Sequence, residues 1–112
     1  MELAKDISVV MAQSRPTSPV IVRSSRQIGE HISTWRRIQG ITAAELASRS
    51  GVSVDTVSRA EHGDPSVGLG KVLAMARVLG IMQQVVEAFD PASTEYGRLQ
   101  LAQSVPKRVR KK

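Results

Sequence analysis

The side chains in this sequence that could catalyse a reaction are few and widely spaced. The 112 residues include two histidines, His31 and His62, and no cysteine. The sequence contains neither a His-Glu-x-x-His zinc motif nor a glycine-rich phosphate loop, and no serine or threonine has a histidine and an acid at suggestive spacing. The acids are distributed singly along the chain. We therefore expect a protein that is not an enzyme and that carries no metal and no cofactor.

The polar residues with the most informative spacing lie within residues 41–63. Thr42 and Glu45 are three residues apart, which is the capping-box pattern at the start of a helix. Gly51 follows the apolar positions of that helix and suits a turn, and Ser53 is placed to cap the next helix. Two short helices joined by a glycine-containing turn place the second helix in the major groove of DNA. The stretch therefore predicts a helix-turn-helix unit.

The net charge of +6 is concentrated near one end of the chain. Residues 24–89 contain nearly equal numbers of basic and acidic side chains, whereas residues 97–112 contain no acid. The bases of this last stretch are Arg98, Lys107, Arg108, Arg110, Lys111 and Lys112. Such a run of charge is usual in a solvated, disordered end, and it also suits a segment that binds phosphate or an acidic protein surface.

The compartment can be judged from what the sequence does not contain. No apolar stretch approaches the roughly 18 residues that a membrane span requires. The N-terminal sequence MELAKDISVV includes acids and leads into no apolar core, so it does not resemble a signal peptide. The absence of cysteine fits a reducing compartment. We expect a cytoplasmic protein with no membrane partner, which DNA binding would associate with the nucleoid.

Apolar periodicity and linker composition divide the chain into three parts. Residues 1–23 are predicted to form an amphipathic arm and a linker, residues 24–90 the helical domain, and residues 91–112 a basic tail. The arm is expected to cover the core, to fray or to contact a partner. Its apolar stripe consists of Leu3, Ile7, Val10 and Met11. The β-branched residues 20–22 are predicted to be a short strand or an extended lead-in.

The central part is predicted to contain five short helices around one core. Ser24 with Gln27 signals the start of the first helix. Its inward positions are Ile28, Ile32, Trp35 and Ile38. The helix-turn-helix unit supplies the second and third helices, and Ser66 is expected to cap the fourth, which Gly80 ends. The inward positions of the fifth helix are Ile81, Val85, Ala88 and Phe89.

Residues 28–89 resemble the lambda-repressor/Cro (Xre) type of helix-turn-helix regulator. The segment GITAAELASRSGVSVDTVSRAEHG carries the resemblance through ELA, GVS, TVSR and ExG at fixed spacing. The resemblance implies an all-α, five-helix lambda-repressor-like DNA-binding domain and a sequence-specific transcriptional repressor. The end of the chain, GRLQLAQSVPKRVRKK, is similar to the tails of HipB-like antitoxins, which pair with HipA-type kinase toxins.

The resemblance implies that residues 53–62 are the recognition helix. Its base-reading positions then fall on Val54, Asp55 and Arg59, with Ser58 beside them. Arg59 is the strongest candidate, because a guanidinium can bond O6 and N7 of guanine together. Val54 would touch a thymine methyl group or pack in the protein. Asp55 would accept from N4 of cytosine, or would only favour the helix start through the helix dipole.

Other residues are candidates for contact with the DNA backbone. Ser53 and Thr56 can reach phosphate oxygens, although as caps they would look the same. Thr42 and His62 lie at the starts and ends of these helices, where a phosphate or main-chain contact is expected. The resemblance also implies that Arg36 faces phosphate and forms an internal salt bridge with Glu61. A solvated surface charge remains the alternative for each member of that pair.

One recognition helix reads only a few base pairs, so we expect a homodimer on a pseudo-palindromic operator in double-stranded DNA. The tail is predicted to contact the dimer or a toxin, with a short strand at Leu99-Gln-Leu101, or to be a disordered end. The contact candidates are Leu99, Leu101, Val105, Lys107, Arg108 and Arg110. The functional hypothesis is the antitoxin of a HipBA-like operon that autoregulates and binds its toxin. The alternatives are a stand-alone Xre-type regulator and an RNA or non-specific nucleic-acid binder built around the basic tail.

Overall fold

The computed structural model describes residues 16–103, and every regular element in that range is helical. The elements are α1 (Pro19–Ile38), α2 (Ala43–Ser50), α3 (Val54–Glu61), α4 (Leu69–Leu79), α5 (Met82–Phe89), a 3-10 turn (Pro91–Ser93) and α6 (Glu95–Ala102). The predicted all-α class is confirmed. None of the described helices is long and apolar enough to cross a membrane.

Helix α1 begins at Pro19, earlier than the predicted start near Ser24. Ser18 is the N-cap, and its hydroxyl accepts the backbone N–H of Val20 at 3.3 Å. Proline is well suited to the first helical position, since its fixed φ is helical and its missing N–H would have no partner there. The prediction of a strand or extended lead-in at residues 20–22 was therefore wrong. The local helix start outweighs the weak β propensity of these residues.

The core is built by α1 to α4 around three fully buried side chains, Leu46, Val57 and Met75. Four further buried residues complete the cluster: Ile32, Ala47, Ala60 and Leu79. Three of the four positions predicted to face inward on α1 are instead exposed, namely Ile28, Trp35 and Ile38.

The face that α1 turns towards α3 was misjudged because it contains a glycine and an arginine. Gly29 is buried, and a Cβ at this position would overlap the carbonyl oxygens of Ala60 and Glu61. Arg36, two helical turns further on, bonds to Glu61. The contact stripe therefore runs through Gly29, Ile32 and Arg36, spaced three and four apart as neighbours on a helix face are. Apolar periodicity alone does not reveal such a stripe.

Helices α4 and α5 differ from expectation at their starts and in their exposed residues. Gly68, not Ser66, is the N-cap of α4, and no side chain caps this helix. Ser66 is bonded to Asp64 and Arg59 instead. The predicted inward positions Ala88 and Phe89 are exposed, with Phe89 83% accessible. Helix α5 packs mainly against α4, so only one side of it is covered.

The C-terminal element is a helix where a strand was predicted. The hydroxyl of Thr94 accepts the N–H of Gly97 at 3.0 Å and so caps α6. A capped helix start overrides the apolar alternation of Leu99 and Leu101, because that alternation covers too few residues to specify a strand. Both leucines are exposed. The other contact candidates of the tail, Val105, Lys107, Arg108 and Arg110, and the apolar stripe of the arm lie outside the described residues.

Candidate nucleic-acid interface

Helix α2 starts with the predicted capping box. The hydroxyl of Thr42 accepts the N–H of Glu45 at 3.0 Å, and the carboxylate of Glu45 accepts the N–H of Thr42 at 2.7 Å. The second of these bonds lowers the pKa of Glu45, because the main-chain N–H stabilises the carboxylate. Thr42 itself is exposed. The helix end is defined equally well, since Gly51 adopts a left-handed conformation with φ of 73°.

Helix α3 starts with a pair of hydroxyls. The Oγ of Ser53 accepts the N–H of Thr56 at 3.0 Å and lies 2.9 Å from the Oγ1 of Thr56. Thr56 is only 4% exposed, so its hydroxyl faces the cap rather than the solvent. Ser53 is exposed. The sequence signals at Thr42, Gly51 and Ser53 therefore fix the ends of the two helices, and they are confirmed as caps.

The two sides of α3 have different environments. Thr56, Val57 and Ala60 are buried against the rest of the domain. The opposite side carries the three predicted base-reading residues, Val54, Asp55 and Arg59, with Ser58 beside them. Val54 is 51% exposed even though it is apolar, and the side chain of Asp55 is 79% exposed. The predicted residues are thus brought together on one surface.

Arg59 takes part in a closed ring of hydrogen bonds with residues that follow α3. Its Nε donates to Oδ2 of Asp64 at 2.9 Å, and its Nη2 donates to Oγ of Ser66 at 3.1 Å. The hydroxyl of Ser66 donates in turn to Oδ1 of Asp64 at 2.7 Å. Asp55 is more distant, with Oδ2 at 4.0 Å from Nη1 of Arg59.

This ring favours the charged forms of both partners. The hydrogen bonds from Ser66 and then from Arg59 lower the pKa of Asp64 from 3.8 to about 2. The bond to Asp64 correspondingly raises the pKa of Arg59. Sequence reasoning did not identify Asp64 or Ser66 as part of the site. The available signal was the Asp-Pro-Ser sequence that begins three residues after the end of the helix, because an aspartate often bonds the backbone two residues further on.

The predicted partners Arg36 and Glu61 form a two-point ion pair between α1 and α3. Nε and Nη2 of Arg36 donate to Oε2 and Oε1 of Glu61 at 2.6 and 3.1 Å. Nη1 of Arg36 donates to the carbonyl oxygen of Ile41, just before α2, at 3.1 Å. The two side chains are only 16% and 12% exposed. The bond to Glu61 raises the pKa of Arg36, so this arginine holds three segments together in its charged form.

His62 lies at the end of α3 and is exposed. Its Nδ1 is 2.7 Å from the carbonyl oxygen of Ser58, so a protonated Nδ1 donates to the last turn of the helix. Within residues 16–103 no group of three or more acidic or histidine side chains is placed to hold a metal ion.

The arrangement can place a helix against a groove of a duplex. A short helix is held by caps at its start, by the core along its inner side and by a two-point ion pair near its end. Its outer side presents a guanidinium, a carboxylate, a hydroxyl and a methyl-bearing side chain, which are the groups that read base edges in the major groove.

Comparison with known proteins agrees with this geometry. No curated protein and no solved structure matched the chain significantly. A family model for the helix-turn-helix domain matches residues 27–89, which is more than half of the chain and includes α2, α3 and the ion pair that supports them. This chain therefore belongs to the helix-turn-helix domain family, and its central helices form a DNA-binding domain.

Proposed function

We propose that this protein is a sequence-specific transcriptional repressor that binds a pseudo-palindromic operator as a homodimer. The observation that carries the proposal is the two-sided character of α3. Its buried side fixes the helix on the domain, and its exposed side gathers the polar residues that can read bases. A helix with this character fits the major groove, where each base pair presents a distinct pattern of donors and acceptors.

The residues on the outer side of α3 are assigned contacts with DNA as follows. Arg59 donates to O6 and N7 of guanine, and Asp55 accepts from N4 of cytosine. Val54 packs against a thymine methyl group, and Ser58 bonds to a base edge or to phosphate. Discrimination at the guanine position depends most on Arg59, since guanine alone presents two adjacent acceptors, N7 and O6, to both donors of a guanidinium.

The remaining candidates divide by exposure. Thr42, Ser53 and His62 are exposed at helix ends, and we assign them contacts with phosphate oxygens. Thr56 is buried, and Arg36 already donates to Glu61 and Ile41. In this proposal those two residues hold the helices in place, so they affect DNA binding through the fold.

A homodimer follows from the small size of one recognition surface. A single helix of the length of α3 covers only a few base pairs, and two-fold pairing doubles the discrimination. Leu99 and Leu101 on α6 are exposed and are assigned to protein contact. The contact is extended, in this proposal, by Val105, Lys107, Arg108 and Arg110.

A selection of binding sites from random duplex DNA tests the proposal. The full-length protein should enrich two inverted half-sites whose centres are about 10 base pairs apart, or a multiple of that spacing. Sedimentation of the complex should give two chains for each duplex. The repressor proposal fails if no sequence is enriched. Enrichment of one unpaired half-site that binds a single chain would contradict the homodimer and leave sequence-specific binding intact.

The finer assignment is an antitoxin that represses its own operon and binds a kinase-type toxin. It is supported by the exposed apolar residues Tyr96, Leu99 and Leu101 on α6, which lead directly into the basic end of the chain. Helix α6 packs mainly on the 3-10 turn, so its outer surface is available to a partner protein.

Purification from native cells separates the antitoxin from a stand-alone Xre-type regulator. The antitoxin should copurify with a kinase-like protein encoded by the adjacent reading frame, and Leu99→Asp should weaken that complex. A protein that copurifies with no such partner, and whose operator lies at an unrelated gene, is the stand-alone regulator.

A further inference from the structure

We propose that Asp64 and Ser66 are positioning residues for DNA recognition, which together hold one edge of the Arg59 guanidinium so that its other edge is presented to a guanine. The inference rests on the proposed function, and in particular on the assignment of Arg59 to a base. Neither residue lies on α3. Both belong to the Asp64–Ser66 turn that follows it.

The geometry of the ring selects one edge of the guanidinium. Nε–H and one N–H of Nη2 point to the same side of the planar group, and these are the two donors that Asp64 and Ser66 accept. The second carboxylate oxygen accepts both the hydroxyl and the backbone N–H of Ser66, at 2.7 and 2.9 Å. Every donor and acceptor in the ring therefore has a defined direction.

The opposite edge, formed by Nη1 and the other N–H of Nη2, keeps two parallel donors. Within the described part of the chain, the hydrogen bonds of Arg59 use only Nε and Nη2. The side chain is 41% exposed, and Oδ2 of Asp55 comes no nearer than 4.0 Å to Nη1 of this edge. Two parallel N–H groups match O6 and N7 of guanine.

Holding the guanidinium in advance affects recognition in two ways. An arginine held in one orientation loses less side-chain entropy when it binds than a freely rotating arginine does. A fixed orientation also makes the two-point contact with guanine more selective, because a freely rotating guanidinium could donate a single hydrogen bond to another base. Both effects act on the base that Arg59 reads and on no other base.

The charge of Asp64 adds a second consequence. Its carboxylate bonds directly to Arg59, and Asp55 is close to the other side of the same guanidinium. Both carboxylates are ionised at neutral pH, since aspartate side chains titrate near pH 4 or below. Two carboxylates reduce the attraction of this surface for phosphate, which supplies most non-specific binding. Asp64 therefore improves selectivity both by directing Arg59 and by weakening sequence-independent contacts.

A second turn in the same chain provides a matched control. Asp90 precedes Pro91 as Asp64 precedes Pro65, and its Oδ1 accepts the N–H of Ala92 at 2.9 Å, as Oδ1 of Asp64 accepts that of Ser66. In the described residues no arginine donates to the carboxylate of Asp90. Asp90→Asn therefore removes a similar carboxylate from a similar turn without touching Arg59.

The experiment measures base preference in the full-length protein. Wild type, Asp64→Asn, Ser66→Ala, Ser66→Thr and Asp90→Asn are titrated against the selected operator and against operators with the Arg59-contacted guanine replaced by adenine. Non-specific duplex is titrated in parallel over a range of salt concentrations. Asp64→Asn replaces one of the two carboxylate oxygens by an NH2 group, a donor, so the acceptor for either Ser66 or Arg59 is lost.

Asp64→Asn and Ser66→Ala should lower the preference for guanine by roughly threefold to tenfold per half-site, which is part of the discrimination of one two-point contact. Asp64→Asn should also bind non-specific DNA more tightly, because a negative charge is lost. Ser66→Thr keeps the hydroxyl and should retain the preference, as should Asp90→Asn. Ser66→Ala is the milder variant and keeps the test valid if Asp64→Asn unfolds.

Double variants separate positioning from a general structural role. If Asp64 acts through Arg59, adding Asp64→Asn to Arg59→Ala should cause no further loss of guanine preference. Additional loss, or an unchanged preference in both single variants, would overturn the positioning role while leaving Arg59 as the reader. An unchanged preference in Arg59→Ala itself would overturn the assignment of Arg59 and the positioning role together.

Discussion

Nε of Arg36 lies 2.6 Å from Oε2 of Glu61, and this contact joins α1, the longest helix of the domain, to the end of α3. The pair matters for the orientation of α3, because α3 has only eight residues and is fixed by few side chains. Arg36 also reaches the carbonyl oxygen of Ile41. One guanidinium therefore links α1, the segment before α2, and α3.

Glu61→Ala should lower the free energy of unfolding by about 1.5–3 kcal/mol, the range for hydrogen bonds to charged groups. The loss is expected because the variant leaves the largely buried Arg36 without two of its three hydrogen-bond acceptors. Arg37→Ala is the control, since Arg37 is exposed and bonds only within α1. Urea denaturation of both variants checks the prediction. If Glu61→Ala and Arg37→Ala lowered the free energy of unfolding by the same small amount, the ion pair would contribute no more than an exposed surface charge.

Gly29→Ala should destabilise the domain by about 1–3 kcal/mol. The added methyl group would overlap main-chain oxygens of α3. Main-chain atoms cannot move aside as the end of a flexible side chain can. Gly70→Ala is the opposite case, because nothing lies near its would-be Cβ and α4 would gain a better helix former. Gly70→Ala should therefore stabilise by about 0.5–1 kcal/mol. Thermal unfolding that showed the same sign for both would contradict this packing of α1 on α3.

The stability of the wild type should depend on Asp64 at acid pH. The pKa of Asp64 is lowered from 3.8 to about 2 in the folded protein, so its contribution is complete above about pH 3.8 and is lost as the pH falls through about 2. Ser66→Ala removes the largest cause of the shift and should reduce this loss. Unfolding curves between pH 5 and pH 2 compare the two, with about one measurement per half unit. Identical pH dependence would contradict the ring of hydrogen bonds.

The ends of α2 and α3 were predicted from the sequence, because they depend on local signals. The caps at Thr42 and Ser53 and the turn at Gly51 depend on side chains and backbone conformations only a few residues apart, so their residue types were sufficient. The same reasoning failed at Leu99 and Leu101, where two alternating residues were weaker evidence than the cap at Thr94.

Contacts between distant elements were not predictable in the same way. The packing stripe of α1 uses Gly29 and Arg36, which no hydrophobic pattern includes, and it leaves Trp35 exposed. The residues that hold Arg59 were missed because their role depends on how the Asp64–Ser66 turn returns towards α3. Base-reading positions could be proposed from the resemblance, whereas the residues that orient them needed the three-dimensional structure.

The central claim is that Arg59 on α3 reads a base, and the most direct test is the ratio of affinities for the selected operator and for the same operator with its guanine changed. This ratio is measured at one salt concentration for wild type, Arg59→Ala and Arg77→Ala, which removes the same charge from α4. Arg59→Ala should lose roughly 5- to 150-fold in the ratio per half-site and keep weak, salt-sensitive binding, while Arg77→Ala should retain it. A wild-type ratio in a folded Arg59→Ala protein would contradict the account.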